Sequence, residues 1–173
     1  DWSWSRGLGD VYKRQETGVY DGVASIEMFE AVGEKYWPVY FDKIKQCLKP
    51  GKQATLQIIT IQDARWEVYR KSVDFIQKYI FPGGMLPSPS VLRKEVHRAG
   101  LSVQHSIEFG KSYSQTLRRW FEVFNNKWDN ISAMGFDDRF RRMWNFYLTS
   151  CAATFESGNC DVTQITLQKP DNN

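Results

Sequence analysis

The sequence predicts an α/β domain with a mostly parallel sheet and an inserted aromatic helix pair. Three observations predict it. Runs at 19–26, 54–61, 101–109 and 161–168 are apolar, β-branched or alternating, as strands are. Helical periodicity fills the intervals between them, and strands alternating with helices pack as α/β layers. Two long helical patterns rich in aromatics stand between the third and fourth runs.

The elements follow in order. Residues 19–26 read as a buried strand. Residues 34–48 form an amphipathic helix, with Trp37, Tyr40, Phe41, Ile44 and Leu48 on one face. Pro38 is tolerated in its first turn, and Lys49-Pro50-Gly51 stops it. Ala54–Ile61 is the strongest strand because it is rich in β-branched residues. A helix over 66–80 aligns Trp66, Tyr69, Val73, Ile76 and Ile80. Three prolines stiffen the loop over 81–89. Ser88 caps the next helix, Pro89 takes its first position and Gly100 ends it. Residues 101–109 alternate as a strand. A helix over 114–128 aligns Leu117, Trp120, Phe121, Phe124 and Trp128. Asp137 caps a second, which aligns Phe140, Met143, Trp144, Tyr147, Leu148, Cys151 and Phe155. The strand over 161–168 closes the domain.

Composition narrows the function classes. The chain has 173 residues, enough for one domain with a sizeable core. No apolar run approaches the ~20 residues that span a bilayer. No charged start followed by an apolar core marks a signal peptide, so the expected location is cytoplasmic. Cys47, Cys151 and Cys160 are an odd set without metal spacing and read as reduced thiols. A net charge of +3 is too weak to argue for nucleic acid and is compatible with an anionic lipid surface. Residues 1–15 follow no period of 2 or 3.6 and read as a non-native, adapter-like segment, which leaves 16–173 for fold reasoning.

Glu30 is the first candidate for chemistry. It stands just past a strand, among Met28, Phe29, Ala31 and Val32. Ligands of open α/β sheets bind outside the carboxyl ends of strands, where Glu30 falls. A carboxylate there can take a proton. The plainer alternative is a helix-start carboxylate that favours the dipole.

Two stretches carry a resemblance: Gly22-Val-Ala-Ser-Ile-Glu-Met-Phe-Glu-Ala-Val-Gly33 and Tyr79-Ile-Phe-Pro-Gly-Gly-Met-Leu-Pro-Ser88. In order and spacing they resemble the C-terminal half of cyclopropane-fatty-acyl-phospholipid synthases, from about Glu16 to Lys169. Leu48-Lys-Pro-Gly51 between helix and strand is also frequent in class I methyltransferases. The resemblance implies a Rossmann-like class I methyltransferase sheet, with 16–173 as part of its catalytic domain. It implies S-adenosylmethionine as cofactor and unsaturated phospholipid acyl chains as substrate. The place of action would be the cytoplasmic, inner surface of a membrane. A homodimer is compatible with it.

The same resemblance assigns site residues. In that family the acyl double bond attacks the methyl group, and bicarbonate is thought to remove a proton before the ring closes. The glutamate matching Glu30 helps hold bicarbonate. Tyr113 stands in Phe109-Gly-x-x-Tyr113, whose tyrosine hydrogen-bonds that ion. Cys151 ends Tyr147-Leu-x-x-Cys151, whose cysteine has been proposed for the active site. On an apolar helix face, a free cysteine also packs as a small hydrophobe. Ser25 and Ile26 match the wall of the cofactor site. Trp120, Phe121, Phe124, Trp144 and Phe146 are expected to wall a dry pocket or to be core. The chain departs from the pattern at Ile59, where Leu-Leu-His-Thr-Ile carries a histidine. Gln57 lies on the same strand face and supplies a polar group instead. The family's glycine-rich cofactor loop has no counterpart here, so the chain is expected to be an incomplete enzyme, inactive alone. A non-catalytic lipid-binding or interaction module, or a methyltransferase for another small lipid, are the competing readings.

Overall fold

The computed structural model describes residues 18–171. The adapter-like segment therefore lies outside the described residues. Two compact units form: residues 18–108 with 163–171, and residues 109–162.

The first unit is built on a four-stranded sheet. Its strands are β1 (Tyr20–Ile26), β2 (Leu48–Ile61), β3 (Ser102–Glu108) and β4 (Cys160–Gln168), in the order β1-β2-β4-β3. β1 is parallel to β2, with Val23 opposite Ala54 and Ile26 opposite Gln57. β4 meets β2 through Gly51 with Lys169, Gln57 with Gln164 and Thr60 with Thr163. Numbers rise on one strand as they fall on the other, so this pair is antiparallel. β3 is antiparallel to β4 in turn. Three strands thus share a direction and β4 opposes them, so the expectation of a mostly parallel sheet holds for strand direction but not for pairing, since one of the three pairs is parallel and two are antiparallel.

α1 (Trp37–Cys47) and α3 (Pro89–Arg98) supply apolar faces to this unit. Trp37, Tyr40, Phe41, Ile44, Leu92 and Val96 are buried, as are Leu56 and Ile58 of β2. Phe29 anchors the turn after β1, with ring centroids 5.0 Å from both Trp37 and Tyr40. Arg98 joins α3 to α1 through the Pro38 carbonyl at 2.8 Å and Asp42 at 3.1 Å. α3 begins and ends as its sequence dictates. Ser88 accepts the Val91 N–H, and Pro89 fills the first turn. Gly100, at φ +69°, donates to His97 while Leu101 donates to Val96, which is the Schellman arrangement.

Three expectations need correction, and one strand has a further feature. β1 is not buried: Ile26 is 70 % exposed, because β2 is the one strand paired with β1 among the described residues. The first helix stops at Cys47, and Lys49-Pro50-Gly51 belong to β2, where Gly51 donates to Lys169. The helix expected over 66–80 is broken. α2 spans Asp63–Tyr69, and a π-helical turn covers Ile76–Ile80. Asp74 accepts the Gln77 N–H at 2.8 Å and Gln77 accepts the Asp74 N–H at 3.0 Å. That reciprocal capping box starts a new segment and leaves Val73 74 % exposed. β3 is an edge strand, and its Val103 and Ile107 are exposed.

The second unit is helical: α4 (Gly110–Asn126), α5 (Trp128–Ala133) and α6 (Asp138–Glu156). Asp137 caps α6 by accepting the Phe140 N–H at 2.8 Å. Leu117, Trp128, Leu148, Ala152 and Phe155 are buried. Asn125 donates to Asn145 at 2.8 Å and accepts from Arg141, whose guanidinium lies 5.0 Å from the Trp128 ring centre. The aromatic helix pair is therefore present, with α5 between its two long members. No described helix is long and apolar enough to cross a membrane.

Candidate active site

The carboxyl ends of β1 and β2 lie side by side in the first unit, and Glu30 stands in the turn beyond them. A short 3-10 turn, Phe29–Ala31, carries it. Burial of Phe29 fixes that turn to the core. Met85 donates its N–H to the Glu30 carbonyl at 2.9 Å, so the proline-stiffened loop rests on the same turn. Gln77 donates to the Gly84 carbonyl at 3.1 Å, the Tyr69 hydroxyl accepts from Leu86, and Pro87 accepts from Ile61. The loop is thus tied at four places in succession.

The Glu30 carboxylate is divided between two tasks. Oε1 accepts the Ile59 N–H at 2.6 Å. Oε2 is buried and has no hydrogen-bond partner among the described residues. Burial pushes the carboxyl above its ordinary value, against the lowering effect of the Ile59 N–H, and the charge of Glu27 adds to the rise. A carboxyl in this state can hold a proton on Oε2 or accept one there.

Ser25 and Ile26 end β1 on opposite faces, as successive strand residues must. The Ser25 hydroxyl accepts from Tyr40 at 2.7 Å, toward α1. Burial pushes the Tyr40 phenol up to about 12, the Ser25 bond opposes the rise and the Glu30 charge adds to it. Ile26 is exposed. Of the two, Ile26 is the one whose side chain offers open surface to a ligand, and Ser25 backs it from within.

Gln57 and Ile59 share the half-exposed face of β2, while Leu56 and Ile58 point into the core. The strand therefore alternates as the sequence reading requires. Gln57 donates to Glu27 Oε1 at 2.8 Å and accepts from Gln164 at 2.9 Å. Sequence reasoning missed the Ile59 N–H, Tyr40 and Glu27 as parts of this cluster. A backbone donor leaves no mark in a sequence, and Tyr40 was visible only as a core position.

Tyr113 and Cys151 belong to the second unit. Tyr113 is half-buried on α4, its ring 5.9 Å from Phe109 and 5.6 Å from Phe155. The Phe-Gly pair before it has a structural reason. Gly110 donates its N–H to Asp161 Oδ1 at 2.7 Å, and a Cβ on Gly110 would stand 2.8 Å from that oxygen. Cys151 is half-buried on α6. Of the expected wall residues, Phe124 packs on Trp128 and Phe140, and Trp144 stacks on Phe140 at 5.6 Å. Trp120 and Phe146 are instead 56 % and 53 % exposed.

Comparison with known proteins gives a consistent result. Residues 10–165 match the family model described as mycolic acid cyclopropane synthetase. Tuberculostearic acid methyltransferase UfaA1 of Mycobacterium tuberculosis is 41 % identical over 155 residues, covering 89 % of this chain and 36 % of the relative. The cyclopropane-fatty-acyl-phospholipid synthase of Escherichia coli K12 is 33 % identical over 153 residues, covering 87 % and 38 %. Among solved structures, mycolic acid cyclopropane synthase CmaA1 complexed with SAH and CTAB superposes with a TM-score of 0.82 at 26 % identity, covering 91 % of this chain and 58 % of that one. The chain thus spans little more than a third of the length of these curated relatives.

Proposed function

The chain belongs to the mycolic acid cyclopropane synthetase family, and from that premise we propose that it supplies part of the catalytic domain of a lipid-modifying methyltransferase. The proposed reaction delivers one carbon from S-adenosylmethionine to an unsaturated acyl chain of a phospholipid, as a cyclopropane ring or a methyl branch. Residues 16–173 are assigned to that domain. The proposed place of action is the cytoplasmic face of a membrane, where such chains reside, and a homodimer is compatible with the reading.

One observation carries the proposal: the buried Oε2 of Glu30, without a hydrogen-bond partner among the described residues, at the carboxyl end of the parallel strands. Buried polar atoms are almost always paired, and an orphan among them asks for a ligand. A carboxyl whose proton affinity is raised by burial fits a small oxyanion, since it can donate to one oxygen of it. Bicarbonate has that chemistry, and Glu30 would hold it through Oε2. Ile26, exposed at the end of β1, and Ser25 behind it would form one wall of the cofactor site. S-adenosylmethionine, when bound, supplies an electrophilic methyl group.

The remaining roles fall to the chain's own groups. Ring closure releases one proton; bicarbonate, when bound, would supply the base for it, and Glu30 Oε2 would hold that ion in place. The Ile59 N–H fixes the other carboxyl oxygen, so Oε2 keeps one direction. Gln57 presents an amide on the open face of β2 where the family pattern has a histidine two residues on. By resemblance alone, Tyr113 of the second unit is proposed to serve the reaction through its phenol, and Cys151 is read as a packing residue of α6.

The test is Glu30→Gln in an enzyme extended to the length of its relatives. General-base catalysis contributes ~10²–10⁴-fold in rate, and releasing the base from its holder forfeits a gain of that order. The expected result is a fall in kcat of that order with cofactor affinity nearly unchanged. Wild-type turnover in the variant would show Glu30 to be structural.

A further inference from the structure

At the end of β1 the backbone adopts a conformation that glycine adopts freely and glutamate does not. Glu27 has φ +51°, the one non-glycine residue at positive φ among the described residues. Such a conformation costs on the order of 1–3 kcal/mol and persists only where surrounding contacts over-determine it.

Three contacts do so here. The Glu27 N–H donates to the Gln57 carbonyl at 2.9 Å, which extends the β1–β2 ladder by one residue. The Glu27 carboxylate accepts from Gln57 Nε2 at 2.8 Å. Gln164 Nε2 on β4 donates to Gln57 Oε1 at 2.9 Å. The chain Gln164–Gln57–Glu27 therefore runs from β4 across β2 to the turn that follows β1. It also fixes which way the Gln57 amide points. The reversed amide would set its oxygen against the Glu27 carboxylate and its nitrogen against the Gln164 donor, and both contacts would be lost.

The turn after β1 thus grips β2 twice, two residues apart. Glu27 holds the side chain of Gln57, and Glu30 holds the backbone N–H of Ile59. Gln57 and Ile59 lie on the same half-exposed strand face. We propose that Glu27 is a positioning residue of this site, which orients the Gln57 amide on the open face of β2 beside the Glu30 carboxyl. The proposal rests on the reading of that face as the place of reaction. An amide held at both ends meets a ligand oxygen without first losing side-chain freedom, which is the advantage of a preorganised polar group.

A purely structural turn predicts the opposite behaviour. Glycine at position 27 would relieve the positive φ and lose nothing that a turn needs. The structural role therefore predicts that Glu27→Gly gains stability without harm. The positioning role predicts that the same substitution loosens Gln57 and slows the reaction.

The experiment has two arms. In the 173-residue chain, the Gln57 side-chain NH₂ pair is followed by NMR. It is expected to be dispersed and protected in the wild type, shifted and less protected in Glu27→Gly, where Gln164 still holds the amide oxygen, and restored in Glu27→Gln, whose amide oxygen can accept the same bond. In the full-length enzyme, Glu27→Gly is expected to lower kcat by on the order of 10–10²-fold with KM nearly unchanged, the loss typical of a displaced catalytic geometry, and Glu27→Gln to recover most of it. An unchanged Gln57 resonance in Glu27→Gly overturns the positioning contact, whatever the turnover. A shifted resonance with wild-type kcat overturns the role in the reaction while leaving the contact in place. A fall in kcat in Glu30→Gln alongside either result leaves the active-site reading standing, which separates failure of this inference from failure of that reading; wild-type turnover in Glu30→Gln overturns the reading itself.

Discussion

The Ile59 amide donates to Glu30 Oε1 at 2.6 Å, and this bond continues past the end of β1 the ladder that β1 shares with β2. A side chain has taken the place of a strand. The arrangement holds the carboxyl rigidly and leaves Oε2 buried and unpartnered among the described residues. Burial of that oxygen works against the stability of the charged carboxyl, and the cost can be measured.

The first prediction is a pH slope. Burial raises the folded-state proton affinity of Glu30 above its ordinary value of 4.5. Between the unfolded and folded values the native state binds more protons, so stability falls as pH rises through that window. Glu30→Gln keeps an acceptor for the Ile59 N–H but has no charge to desolvate. Urea unfolding of both proteins at about pH 4 and about pH 7 is expected to show the variant gaining on the wild type at the higher pH. A constant difference would mean that the carboxyl is not burdened by burial.

The second prediction concerns Tyr40, whose phenol is pushed up to about 12 mainly by burial. Its folded value lies above the unfolded one, so the native state keeps the proton longer. Stability is expected to fall as pH rises above about 10, where the unfolded phenol ionises. In the folded protein an absorbance titration should contain a late step from Tyr40, and Tyr40→Phe should reduce it by one tyrosine. The Ser25 bond lost with it is worth about 0.5–1.5 kcal/mol at neutral pH. A wild-type titration without a late step would place Tyr40 in contact with solvent.

Gly110 carries the third. A Cβ there would stand 2.8 Å from Asp161 Oδ1 and 3.1 Å from the Asp161 Cα. Gly110→Ala is expected to cost about 1–3 kcal/mol, the range for overpacking. Asp161→Ala removes the bonds to the Gly110 and Val162 N–H groups at 2.7 Å and 2.8 Å, but it also relieves the 2.8 Å contact with Oδ1, leaving the 3.1 Å approach to the Cα. The double variant should then be less destabilised than the two single losses added together. Additive losses would show that the glycine matters for its backbone alone.

How much of this was legible in the sequence depends on whether the signal is local. Ser88, Pro89 and Gly100 act within one turn of their own helix, so α3 could be read directly. Asp74-x-x-Gln77 is equally local, and missing it merged two segments into one helix. β2 could not be bounded from sequence, because Gly51 joins it through Lys169, which is 118 residues away by their numbers. The position of Glu30 past a strand was readable, since carboxyl ends of strands are where α/β sheets bind. Its partner was not, because any residue can offer a backbone N–H. Glu27 looked like an ordinary surface carboxylate, and only the backbone geometry marks it. The apolar run of β1 announced a strand but not its exposure, which depends on what stands beside it.

The last prediction turns on the strand position where the chain departs from its family pattern. Ile59 stands where that pattern has a histidine, and Gln57 shares its face. Two answers are possible: the face lacks a polar group and would profit from one, or Gln57 already provides it. The structure favours the second. Gln57 is held by Glu27 at 2.8 Å and by Gln164 at 2.9 Å, so its amide is ordered before any ligand arrives. Gln57→Leu removes both bonds and leaves a carboxylate and an amide without this partner. It is expected to lower kcat in the full-length enzyme by on the order of 10-fold or more, the scale of a lost preorganised donor being ~10²–10³. Ile59→His leaves the Ile59 backbone bond to Glu30 available but adds a second polar ring beside an amide that is already placed. The expected result is neutral or harmful, with no gain in rate. Product analysis of unsaturated phospholipid incubated with each variant separates the cases. A faster or altered reaction from Ile59→His, with Gln57→Leu harmless, would show that the face was short of a polar group and that the Gln164–Gln57–Glu27 chain serves the sheet alone.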